Sequence, residues 1–102
     1  MRTVVWDSLG ICEFLAERHA GLWPADAAAR TWARCAAAEM HSGFATLRNI
    51  CTMNVGLRVK LHAQPPALVA DIRRIDELWN EGLSRFGGPF LVWKPARYAE
   101  LL

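Results

Sequence analysis

The run Thr3-Val4-Val5-Trp6 is β-prone, and no second convincing strand follows for it to pair with. A lone strand leaves its backbone N–H and C=O groups without partners, so a sheet cannot organise this chain. Order has to come from helices, and three runs carry the signals for them. Asp7-Ser8 offers two good N-cap types ahead of Ile11, Phe14, Leu15 and Arg18, which have helical spacing, and His19-Ala20-Gly21 supplies a stop. The first helix is therefore expected over Ser8–His19.

Asp26 caps a second run that opens on Ala27, Ala28 and Ala29, the strongest helix former in triplicate. Trp32, Ala36, Met40, Gly43, Leu47 and Ile50 recur at intervals of three and four and predict one buried stripe on a helix over Ala27–Asn49. Arg30, Arg34, His41 and Arg48 occupy its other side. Cys51 to Gln64, with Asn54 and Gly56, reads as a loop holding at most one helical turn. Pro65-Pro66 then suits a first turn, and Leu68, Ile72, Ile75, Trp79, Leu83 and Phe86 predict the core face of a third helix, Pro66–Phe86. Gly87-Gly88-Pro89 ends it, and the apolar tail from Phe90 to Leu102 has little pattern. The predicted fold class is mainly all-α, with three principal helices and at most a vestigial N-terminal strand.

With 53% hydrophobic and 22% charged residues in 102, the chain can build one small core, which argues against wholesale disorder. A net charge of +2 and a pI near 8.6 fall short of a nucleic-acid footprint, so no nucleic-acid partner is expected. Cys12, Cys35 and Cys51 are an odd set without C-x-x-C spacing, which favours reduced thiols, and neither they nor the histidines have zinc-ligand spacing. Cys12 and Cys35 read as buried structural thiols, leaving Cys51, near a helix end, as the one to test for reactivity. The N-terminal apolar run is too short for a signal peptide and no stretch suits a membrane helix, so a cytoplasmic location is expected. The tryptophans are scattered, and Trp32 and Trp79 fall on core stripes.

Several segments in order resemble the cytosolic glutathione S-transferases, especially the bacterial zeta- and beta-like branches. They are Val5 to Arg18, Leu22-Trp23-Pro24, Ala38-Glu39-Met40-His41-Ser42-Gly43-Phe44, Asp71 to Asp76, and Phe86-Gly87-Gly88-Pro89-Phe90-Leu91. The resemblance implies that residues 1–21 correspond to the last strand and helix of a thioredoxin-like domain, and residues 22–102 to part of the helical C-terminal domain. It implies a chain shortened at both ends, lacking the family's thiol-activating Ser, Cys or Tyr. After Leu91 the family's Ser/Thr-x-x-Asp motif is replaced by Val92-Trp93-Lys94-Pro95-Ala96-Arg97-Tyr98. Glutathione would be the substrate, conjugated in the parent family to small electrophiles or used to isomerise them. No metal is implied.

On this resemblance Asp7 and Ser8 hold the γ-glutamyl end of glutathione, Asp7 taking the ammonium and Ser8 with the helix N–H groups taking the carboxylate. Read without it, the pair is a plain N-cap. His41 matches a histidine that faces the cleft from the neighbouring subunit in beta-type members, and Arg34 stands where those members often have Asn. Arg34, His41 and Arg48, seven residues apart, are either a cationic stripe or a solvated helix face. The resemblance also implies a homodimer through the Ala-rich helix, where small side chains permit close approach. A non-enzymatic helical dimerisation or interaction module is the competing reading.

Overall fold

A computed structural model describes residues 2–87, and within them the chain is helical. Four helices follow one another: α1, Ser8–Ala16; α2, Ala27–Ser42; α3, Ala45–Ile50; and α4, Pro66–Phe86. Residues 2–6 form no strand, and among the described residues there is none elsewhere. The expectations for Gly88-Pro89, Trp93 and the tail to Leu102 lie outside the described residues.

Local chemistry starts three of the helices. Asp7 accepts a hydrogen bond from the Leu9 N–H at 3.0 Å at the head of α1, and Asp26 accepts from the Ala29 N–H at 2.9 Å at the head of α2. Pro66 opens α4, where its missing N–H costs nothing, and Gly87, at a φ of 68°, closes it. α1 stops at Ala16, three residues before His19. The ladder tightens there: the Arg18 N–H bonds the Leu15 carbonyl three residues back, and the His19 N–H shares that same acceptor.

The single helix expected over Ala27–Asn49 is two. α2 ends at Gly43, whose backbone is extended, and Phe44 follows in the left-handed conformation with φ 60° before α3 begins. Gly43 is needed here for space: a Cβ on it would lie 2.9 Å from the Glu39 carbonyl oxygen. Phe44 is buried, and its packing holds the strained backbone in place. The break also divides Arg48 from Arg34 and His41, so the three do not share one helix face.

α2 runs antiparallel to α4. Trp32 meets Phe86 at a ring-centroid distance of 5.8 Å, and Glu39 meets Arg74 through two hydrogen bonds of 2.6 and 2.8 Å. The Arg74 guanidinium holds the Glu39 carboxyl below its usual range and is itself raised by that partner. α3 packs on α4 as well. The inward face of α4 is Leu68, Asp71, Ile75, Leu78 and Gly82, rotated from the expected stripe. Ile72, Trp79 and Leu83 point outward, Trp79 with half its surface in solvent. Trp32 is buried as expected, whereas Cys12, Cys35 and Cys51 are all exposed, which corrects the reading of the first two as buried thiols.

The core is thin. Among the described residues the buried apolar side chains are Ala29, Trp32, Phe44, Leu68 and Leu78.

Candidate functional site

α1 buries no side chain completely, and polar contacts hold it to α2. Arg34 donates from Nε and Nη2 to the two carboxylate oxygens of Glu13, each at 3.1 Å. Two turns further along α2, His41 Nε2 lies 3.2 Å from Asp7 Oδ2. Glu13 faces Arg34 while Asp7 faces His41, so the helices are antiparallel and the seven-residue spacing on α2 matches six residues on α1.

The second contact completes a cluster. Asp7 Oδ1 accepts the Leu9 N–H, its Oδ2 faces His41 Nε2, and Ser8 Oγ lies 3.5 Å from His41 Nδ1. Asp7 has a φ of 68° and a ψ of 139°, a conformation that L residues rarely adopt. That backbone turns the carboxylate back over the first turn of α1, where it reaches both Leu9 and His41. The three side chains are exposed to solvent, within reach of a ligand at the helix N-terminus.

Asp7, Ser8 and His41 are thus brought together, and within one chain. Arg34 is not part of the group: its guanidinium is forked onto Glu13 and lies over the Trp23 ring at 5.8 Å. It acts as a clasp that fixes α1 on α2. Arg48 sits on α3 and takes no part. Glu13, Glu39 and Arg74 were not singled out from the sequence. Their partners lie 21 to 35 residues away, a separation that no local pattern reports.

A carboxylate that also accepts a backbone N–H still has lone pairs free for an ammonium ion. Ser8 Oγ–H and the unpaired N–H groups of the first turn are donors suited to a carboxylate, and the helix dipole favours its negative charge. The arrangement suits a free α-amino acid end, cation toward Asp7 and anion toward Ser8. Among the described residues no group of His, Cys, Asp or Glu side chains is placed to hold a metal, and no helix is long and apolar enough to cross a membrane. Comparisons with family models, curated proteins and solved structures find no match to this chain.

Proposed function

We propose that this chain is a glutathione S-transferase-like protein that holds the γ-glutamyl end of glutathione at the head of α1. The convergence of Asp7, Ser8 and His41 on one helix N-terminus carries the reading. Asp7 takes the α-ammonium, and Ser8 with the first-turn N–H groups takes the α-carboxylate. His41, pinned on α2, keeps Asp7 aimed outward. In the parent chemistry a glutathione thiolate attacks an electrophilic carbon, which requires a group that stabilises the thiolate. The cluster anchors the opposite end of the tripeptide, so this reading assigns weak binding to the chain and no thiol activation.

Isothermal calorimetry with glutathione tests the assignment. Binding in the millimolar range that is lost in Asp7→Ala and weakened in Ser8→Ala is the expected result. Binding that ignores both substitutions, or no heat at all, would overturn it.

A second reading, a helical self-association module, is favoured by the outer face of α2. Ala28, Thr31, Cys35, Ala38 and Ser42 are exposed at intervals of three and four, a strip of small side chains on which a second helix can approach closely. The thin core strengthens it, because a small domain with few buried side chains gains much from covering its surface. The two readings are compatible, since α1 and the outer strip of α2 are different surfaces.

A further inference from the structure

The same three side chains that would anchor an amino acid have the connectivity of a nucleophile, a base and an orienting acid. A carboxylate only accepts hydrogen bonds, so the contact between Asp7 Oδ2 and His41 Nε2 places the imidazole proton on Nε2. In that tautomer Nδ1 is a free acceptor, and it is the nitrogen facing Ser8 Oγ at 3.5 Å. That distance is longer than a closed hydrogen bond, as is common for such pairs before substrate arrives, and both side chains have solvent room to shorten it.

Two further features favour attack at this serine. Asp7, immediately before it, is held at positive φ, and strained backbone of this kind is concentrated at reactive sites. Ser8 opens α1, where the N–H groups of Ser8 and Gly10 lack intrahelical partners and can receive a developing oxyanion. The space above Gly10 is open: a Cβ there would meet nothing within 4 Å, so a small carbonyl compound can approach the first turn.

We infer that Ser8 is an acylatable nucleophile, with His41 as its general base and Asp7 as the residue that orients His41, and that the chain hydrolyses small activated esters. This goes beyond glutathione anchoring and needs no glutathione. Ser8 Oγ bonds to the ester carbonyl carbon while its proton passes to His41 Nδ1. The tetrahedral intermediate expels the alkoxide or aryloxide, which takes that proton and leaves as the alcohol or phenol. Water then attacks the acyl-serine, gives a proton to His41, and releases the carboxylic acid as the proton returns to Ser8. The cluster is open to solvent, so reactive aryl esters, which need little help in expelling the leaving group, are its substrate class.

The test uses the full chain carrying Cys12→Ser, which removes a thiol from the same tryptic peptide. It is treated with a fluorophosphonate probe, and separately with p-nitrophenyl acetate. The expected result is one phosphonyl adduct mapped to Ser8, absent in Ser8→Ala, and a p-nitrophenol release that Ser8→Ala abolishes. His41→Ala, checked for unchanged helicity by circular dichroism, should label at least about 100-fold more slowly. No adduct on Ser8, or an adduct that forms as fast in His41→Ala, overturns the inference. Neither result bears on the calorimetric test of glutathione binding, which stands or fails on its own.

Discussion

Asp71 Oδ2, on α4, accepts the backbone N–H of Leu47 on α3 at 3.0 Å. Phe44 occupies the N-cap position of α3 and has no side chain able to cap it, so a carboxylate 24 residues away supplies the cap. The short α3 is fixed to α4 by the bond that completes its own first turn. Asp71→Ala should therefore lower stability by about 1 kcal/mol, the usual worth of an N-cap, while Asp71→Asn, which keeps an acceptor oxygen, should lose less. Urea denaturation checks this. The midpoint should fall with little change in slope, and equal losses in the two variants would show that the charge, not the acceptor, matters.

Glu39 makes stability sensitive to acid. Its carboxyl titrates below 4.5 in the folded chain because Arg74 donates to it, and near the ordinary value when unfolded. A depressed folded pKa contributes stability above the unfolded value, and that contribution is lost as pH falls through the folded one. The stability gap between the wild type and Glu39→Gln should be full at pH 6 and close progressively below about pH 4.5. Urea midpoints of both proteins at pH 6, 4.5 and 3 measure it. A gap that is the same at all three would remove Glu39 as a source of acid sensitivity.

Gly43→Ala probes the break between α2 and α3. The added methyl would meet the Glu39 carbonyl oxygen at 2.9 Å, and that oxygen already accepts the Gly43 N–H at 2.8 Å. Neither group is a flexible side-chain end, so the backbone itself has to shift. A loss of about 1–3 kcal/mol is expected, in line with other overpacked sites. A thermal midpoint equal to that of the wild type would mean that the α2–α3 corner opens at little cost.

Self-association through α2 places Cys35 near the middle of the small-residue strip. In a symmetric helix pair centred there, the two Cys35 side chains approach each other. In a Cys12→Ser, Cys51→Ser background, mild oxidation should give a disulfide-linked dimer, and Ala38→Glu should suppress both that product and the dimer seen in sedimentation. A monomer at micromolar concentration, with no cross-linked product, would dismiss the strip as an interface.

The starts of α1, α2 and α4 were legible in the sequence because each depends on residues within a few positions: Asp7, Asp26 and the Pro65-Pro66 pair. The α2–α3 break was not. Gly43 and Leu47 continue the apolar spacing of Trp32, Ala36 and Met40, and periodicity does not register a backbone that turns between them. The buried face of α4 departs from the apolar spacing for a related reason. Two lines of residues start from Leu68, one through Ile72 and Trp79 and the other through Asp71, Ile75 and Leu78. The more apolar line is the more exposed, since Asp71 is held inward by its bond to the Leu47 N–H and Gly82 on the same line is buried. At the site, Asp7 and Ser8 were marked by the cap pattern and the family resemblance. Their junction with His41 depends on the antiparallel seating of α1, which Glu13 and Arg34 secure through space.

The positive φ of Asp7 sets two demands on position 7 against each other. Glycine there would relieve backbone strain worth on the order of 1–3 kcal/mol. Exchanging an N-cap Asp for Gly typically costs only a few tenths of a kcal/mol. Asp7→Gly should then be the more stable protein, with a higher thermal midpoint, while giving up the carboxylate that faces His41. Backbone strain and the carboxylate facing His41 are therefore tied to one residue, and a screen for thermostable variants would remove that carboxylate first.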